Sequence, residues 1–191
     1  YVVSSKLSNQ WLSTHENNIG SYKNIGPLFS DLIHKSRLNK KDIINYLEIP
    51  SNSSIISFFD HTVGHIGVLT ISAYKAFLDS MVNLASKNTD KYFLFKSKKS
   101  LGQLEKIYDG ELLHSINKIK SMPNCIYVND FHLDSFSTMA ISDIVVSAPM
   151  SSIIFESLCG GVKTIVYDPL NQYGEYKILA QELKSILASS H

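Results

Sequence analysis

From about residue 50 onward the chain alternates between short apolar runs and stretches of helical periodicity. Ser54-Ile55-Ile56-Ser57-Phe58-Phe59, Tyr92-Phe93-Leu94-Phe95, Cys125-Ile126-Tyr127-Val128, Ile144-Val145-Val146 and Thr164-Ile165-Val166-Tyr167 read as five strands. Helical text lies between and after them, at about 68–86, 101–121 with a break near Asp109-Gly110, 135–140, 151–159 and 175–188. The strands are continuous apolar runs rather than alternating ones, which is the pattern of strands buried on both faces. Strand–helix–strand repetition of this kind closes into right-handed crossovers and a parallel sheet. The expected fold is therefore α/β: a Rossmann-like open parallel sheet over residues 50–191, with helices on both faces.

The first 49 residues read differently. They are polar and rich in turns, with a sharp corner at Ile25-Gly26-Pro27. One helix is expected there, capped by Asn39, with Asp42 in its first turn and Ile43, Ile44 and Leu47 on its apolar face. Pro50 ends it. Residues 1–49 are thus expected to be a linker or the tail of a preceding domain plus one helix. The chain starts at Tyr1 rather than Met, which suggests part of a longer protein.

Composition narrows the function. With 44% hydrophobic residues in 191, the chain has enough apolar side chains for a sizeable core. Eighteen Lys and Arg against 17 Asp and Glu leave a net charge of +1, so no overall field draws it to nucleic acid. Cys125 and Cys159 are too few for a disulfide framework and lack zinc-ligand spacing. His34, His114 and His132 show no ligand spacing either, and no metal is expected. Cys159, next to Leu158 on a helix that must pack on the sheet, is expected in the core. No apolar run is long enough to span a bilayer and the N-terminus is no signal peptide, so a cytoplasmic location is expected.

In open α/β sheets ligands sit beyond the carboxyl ends of the strands. The loop after the first strand carries Asp60, His61, Gly64, His65 and Gly67. Glycines let backbone approach a ligand and a histidine can act near neutral pH, so Gly64 is a donor-site candidate and Asp60 and His61 weak catalytic ones. A capping or hydrogen-bonded loop histidine is the plainer reading of His61. This loop is not GxGxxG, and lysines stand where a dinucleotide fold has its ribose acid, which argues against NAD or FAD. Lys96-Ser97-Lys98-Lys99 follows the second strand; Lys96 and Lys98 are point charges suited to a diphosphate, or else part of a solvated loop. After the fourth strand, Ser151 and Ser152 open a helix whose unpaired N–H groups and dipole favour an anion, and Glu156 lies one turn below Ser152. Serine caps and early glutamates are also ordinary features of helix starts. Gly160-Gly161 is expected to end that helix in a conformation other residues disfavour.

The segment from Ser142-Asp143 through the strand Ile144-Val145-Val146, the turn Ser147-Ala148-Pro149-Met150, the helix with Glu156, Gly160-Gly161 and on to Asp168 resembles the donor-binding segment of GT-B glycosyltransferases. Among these it resembles most the bacterial surface-polysaccharide biosynthesis enzymes. The resemblance covers residues 50–190 in layout, and only this segment is specific. It departs from many relatives at Gly161-Val162-Lys163-Thr164, where they carry a Pro. By resemblance Glu156 grips the donor ribose, Ser151 and Ser152 contact the diphosphate, and a basic residue belongs on the Lys96–Lys98 loop. The base is expected near residues 128–131. The resemblance implies a nucleotide-sugar-dependent transferase with no cofactor beyond its donor substrate. This chain would be the C-terminal, donor-binding half and would lack an N-terminal acceptor domain. It leaves room for two alternatives of the same fold: transfer of a polyol phosphate from a CDP-activated donor, as in wall teichoic acid polymerases, and a non-catalytic nucleotide-sugar-binding domain. A sugar-nucleotide 2-epimerase shares the fold too, but its acidic and arginine-rich motifs are not evident. The partners implied are a nucleotide sugar and the acceptor domain, with membrane contact at the inner face left to the full-length protein.

Overall fold

A computed structural model describes residues 2–3, 23–24, 30–61, 63, 69–98, 110–129, 133–149 and 151–171. Two short strands, β1 (Val2–Val3) and β2 (Lys23–Asn24), pair in parallel. Two helices follow, α1 (Ser30–Leu38) and α2 (Lys40–Tyr46). The main unit then runs β3 (Ile55–Phe59), α3 (Ile71–Lys87), β4 (Tyr92–Lys96), α4 (Gly110–Ser121), β5 (Cys125–Val128), α5 (Ser135–Ile141), β6 (Ile144–Ser147), α6 (Ser152–Cys159) and β7 (Lys163–Val166). All five expected strands are present, within a residue or two at their ends. The expected helical text at 101–109 and 175–188, and the residues Gly64, His65, Gly67, Lys99, His132 and Met150, lie outside the described residues.

The five strands form one all-parallel sheet in the order β5-β4-β3-β6-β7. The chain leaves β3 in one direction to build β4 and β5, then returns to place β6 on the other side of β3. The sheet therefore reverses direction between β3 and β6, and such a switch point leaves a crevice at the carboxyl ends of the two strands. The registers pair Phe59 with both Lys96 and Ser147, so β3, β4 and β6 end level with one another and their turns start at one height.

Successive side chains of a strand point to opposite faces, and the core divides accordingly. On one face Phe58, Phe93, Phe95 and Val146 pack with Tyr74, Phe77, Leu78 and Met81 of α3 and Leu112, Ile116 and Ile119 of α4. Phe58 meets Phe77 edge-on at 5.6 Å, a favoured aromatic geometry. On the other face Ile55, Leu94 and Val128 pack with Ile44, Ile49, Leu133 and Ile141, and Phe59 and Val145 pack with Ile33, Met139, Ala140 and Val162. Both faces of β3, β4, β5 and β6 are covered, as the apolar strands predict, while β7 is largely exposed.

Ile33, fully buried, and Ile44 and Ile49 belong to α1, α2 and the turn after it. Residues 30–49 are thus part of the sheet's own core rather than a linker to it, because α1 and α2 cover the face that α5 alone is too short to close. Asn39 precedes α2, but its side chain makes no capping hydrogen bond. Its φ of −101° and ψ of 12° are not the extended conformation a capping side chain needs, since α1 ends one residue earlier. Thr70 caps α3 instead of a start near Val68, its side chain accepting from the Ala73 N–H at 3.2 Å.

Two further expectations change at the β7 edge. Cys159 is exposed, not core: α6 turns Ile154 and Ser157 inward, and Cys159 falls on the outer side beside an edge strand with Ile165 and Val166 open to solvent. Of the Gly160-Gly161 pair, Gly161 adopts positive φ, at 69°, while Gly160 sits at −76° and is needed for a different reason. A Cβ on Gly160 would stand 2.5 Å from Ile33 Cδ1, so the absence of a side chain lets α1 approach α6.

Candidate functional site

A cleft of about 530 Å³ opens at the carboxyl ends of β3, β4 and β6, at the switch point. It is lined by Phe59, Asp60 and His61 after β3, by Lys96, Ser97 and Lys98 after β4, by Ser135 and Phe136 of α5, and by Ser151, Ser152, Ile153 and Glu156 of α6. Asp60, His61, Lys96, Lys98, Ser151, Ser152 and Glu156, all singled out from the sequence, therefore face one space. Gly64 lies outside the described residues.

The β6–α6 wall is built locally. Ser151 is the N-cap, with φ −94° and ψ 141°, and its Oγ accepts from the Ile153 N–H at 3.4 Å, a long bond. Ser152 is exposed at the first helical position and Glu156 is half-buried one turn on. The Glu156 carboxylate has no hydrogen bond or ion pair among the described residues. Ser157, fully buried, ties the far side of α6 to β7 through Thr164 at 2.7 Å. The helix start thus offers hydroxyls, N–H groups and, a turn deeper, a carboxylate to a ligand that carries phosphate at one end and hydroxyls at the other.

The β3–β4 wall is built from long-range bonds. Asp60 is 6% exposed. Its Oδ2 accepts from the Tyr74 hydroxyl and from Ser97 Oγ, each at 2.8 Å, and its Oδ1 accepts from the Lys98 backbone N–H at 2.6 Å. Burial pushes the Asp60 carboxyl up to about 6, against the downward pull of the Lys98 N–H, the Ser97 and Tyr74 hydroxyls and the Lys98 charge. Lys96, the last residue of β4, is 3% exposed and lines the cleft. Lys98 is exposed at the rim.

Sequence reading missed Ser97, Ser135 and Phe136 as cleft residues. Ser135 and Phe136 open α5, which Asp134 caps by accepting from the Ser137 N–H at 2.9 Å. That Asp-x-x-Ser cap is visible in the sequence; that the helix tip reaches the cleft is not. Ser142 and Asp143, part of the segment that carries the family resemblance, lie at the opposite, amino end of the sheet. Asp143 accepts from the Ile55 N–H at 2.9 Å, and Ser142 Oγ donates to the Thr138 carbonyl and meets Ser57 Oγ. They fasten β6 to β3 and touch no ligand space. No group of three or more His, Cys, Asp or Glu placed to hold a metal ion occurs among the described residues. Burial raises the thiol of Cys125, to about 11, and also that of Cys159.

A five-stranded parallel sheet with helices on both faces and its cleft at the switch point defines a Rossmann-like α/β domain. The chain belongs to the polysaccharide biosynthesis PFTS motif family, which it matches over residues 1–189. No protein of curated function matches it. Among solved structures it is similar to the wall teichoic acid polymerase TagF, with a TM-score of 0.60 and 14% identity over 90% of this chain and 40% of that one. It is also similar to the UDP-GlcNAc 2-epimerase of Neisseria meningitidis bound to UDP-GlcNAc, with a TM-score of 0.53 and 17% identity over 92% of this chain and 51% of that one. The chain thus spans about half or less of the length of these structures, and what they share with it is one Rossmann-like half of a GT-B type of fold. No described helix is long and apolar enough to cross a membrane.

Proposed function

We propose that the chain is the donor-binding part of a nucleotide-sugar-dependent glycosyltransferase in surface polysaccharide biosynthesis. The observation that carries this reading is the convergence of Lys96, Lys98, Ser151, Ser152 and Glu156 on one cleft at the switch point, in a chain of a polysaccharide biosynthesis family. In this reading the diphosphate lies between the lysines and the start of α6, and Glu156 accepts hydrogen bonds from the ribose hydroxyls. As the glycosidic bond to phosphate breaks, negative charge grows on the departing nucleoside diphosphate. Two ammonium groups and a helix N-terminus already aimed there stabilise that charge without reorganisation. Such a site works without a divalent metal.

The likeness in fold to a wall teichoic acid polymerase supports a second reading, transfer of a polyol phosphate from a CDP-linked donor. The same cleft would then hold a departing CMP. Transfer also needs an acceptor hydroxyl aimed at the reacting centre and a base for its proton. We assign the acceptor to a second domain, so residues 1–191 alone would bind donor and transfer nothing. In the full protein this would take place at the cytoplasmic face of the membrane, where sugar nucleotides are supplied. Thermal-shift screening with UDP-, GDP-, CMP- and CDP-linked ligands, followed by calorimetry, tests the proposal. Stabilisation by a sugar nucleotide supports the first reading and by a CDP-polyol the second. No shift with any of them overturns both, and product from labelled donor with this chain alone overturns the assignment of the acceptor.

A further inference from the structure

Asp60 lines the cleft, and the sequence makes it a weak catalytic candidate. Its bonding suggests another role. A carboxylate offers about four lone-pair sites. Three here are engaged by donors from two other elements: Tyr74 in α3, and Ser97 and Lys98 in the turn after β4. The Asp60 backbone N–H also donates to the Lys96 carbonyl at 3.4 Å, so the end of β3 grips the segment 96–98 at both ends. With 6% of its surface exposed, the carboxyl has little room to meet a substrate proton.

We propose that Asp60 is a positioning residue for the anion-binding lysines: by binding Ser97 Oγ and the Lys98 N–H it fixes the turn after β4, so that Lys96 and Lys98 present their charges to a ligand diphosphate. This deepens the proposed function and rests on it. Without the Asp60 carboxylate, the Lys98 N–H and the Ser97 hydroxyl lose this buried acceptor, while the strand pairing up to Lys96 and the Asp60 N–H bond to the Lys96 carbonyl remain. Lys98 would then sample many rotamers and turn conformations, and the ordering would be charged against ligand binding. The nucleoside end of a ligand, which meets no part of this turn, would not register the change.

The test uses the intact chain, its Asp60→Ala and Asp60→Asn variants, a sugar nucleotide from the thermal-shift screen, the matching free nucleoside, and amide hydrogen exchange without ligand. Asp60→Ala is expected to weaken sugar-nucleotide binding about tenfold, leave nucleoside binding unchanged and speed exchange at the Lys98 amide. Asp60→Asn keeps a carbonyl acceptor for the Lys98 N–H, and the two hydroxyls turn to accept from its amide, so most of the affinity and protection should return. Equal affinities of the native chain and Asp60→Ala for the sugar nucleotide overturn the role while leaving the site reading intact. So do equal losses for nucleoside and sugar nucleotide, or an Asn variant as weak as the Ala one. If the native chain binds no sugar nucleotide, the site reading falls and the role falls with it. The Lys98 exchange data then still show whether Asp60 holds the turn.

Discussion

On the β3–β4 side of the cleft the polar groups are bound to one another; on the α6 side they are not. Asp60 gathers Tyr74, Ser97 and Lys98 from positions 14 to 38 residues away. Across the cleft Ser151 holds one long local bond, while Ser152 and the Glu156 carboxylate hold none among the described residues. A bound polar group contributes to the fold, and removing its partner leaves a buried donor or acceptor unsatisfied. An unbound group at a cleft contributes little to the fold and is available to a ligand. The contrast predicts that variants of the bound groups, Asp60 and Ser97, change stability and binding together, and that variants of the unbound groups, Ser152 and Glu156, change binding alone.

Glu156→Ala gives the largest expected separation. Loss of a charged acceptor for two ribose hydroxyls should weaken sugar-nucleotide binding about a hundredfold, roughly 2.7 kcal/mol, with the melting temperature unmoved. Calorimetry and a thermal melt measure the two effects. Lost stability without a binding defect would show that the two walls are alike.

The first wall carries a pH signature next in size. The folded chain keeps the Asp60 proton up to about pH 6, while the unfolded chain releases it near 3.8. Folding therefore takes up a proton in this window, and stability from this group is present below about 4 and lost as pH rises to 6. The loss is about 2 kcal/mol between pH 4 and pH 6. Chemical denaturation of the native chain and Asp60→Asn across that range isolates the effect, since the Asn side chain does not titrate. Parallel profiles would mean that Asp60 is ionised throughout.

The two lysines sharpen the comparison further, because one is buried and one lies at the rim. Lys98→Ala should weaken diphosphate ligands about fivefold at low salt and less at 0.5 M salt, with the melt unchanged, since an exposed charge is screened within about 10 Å at 0.1 M. Lys96→Met keeps the buried stem and removes the charge. It should weaken the same ligands with less dependence on salt. Equal salt dependence for both would place Lys96 in solvent.

The same contrast explains what was legible in the sequence. The second wall could be read because it is local: Ser151, Ser152 and Glu156 lie within six residues on one helix, and helical periodicity puts them on one face. Strands β3 to β6 could be read because burial on both faces makes them largely apolar, and β7 because its run is apolar although exposed. The Asp60 network could not, since no local period links Asp60 to Tyr74 or Lys98. Burial of Ile33 and the need for glycine at 160 also arise only when α1 meets α6. Exposure of Cys159 goes with β7 being an edge among the described strands, a fact of strand order that an apolar run does not carry. Ser142 and Asp143 show the converse: a recognisable motif can mix residues that bind with residues that fasten two strands at the far end of the sheet.

The smallest effects test the contrast within a single helix start, at adjacent serines. Ser151 is 7% exposed and accepts from the Ile153 N–H, whereas Ser152 is exposed and bonds to nothing among the described residues. Replacing an N-cap serine by alanine costs about 0.5–2 kcal/mol, and the 3.4 Å bond places Ser151→Ala near the lower end. Its effect on ligand binding should follow only from fraying of the first turn. Ser152→Ala removes a hydroxyl that the fold does not use and leaves the helix N–H groups in place, with alanine a good helix former at that position. Its stability should be equal to or slightly above that of the native chain. Its affinity for a diphosphate should fall about threefold to tenfold, the worth of one hydrogen bond to a charged oxygen. Paired melts and titrations of the two variants decide the matter. If Ser152→Ala lowers the melting temperature and Ser151→Ala lowers the affinity, the cap and the ligand contact have been exchanged, and the anion sits one residue closer to β6 than the cleft geometry implies.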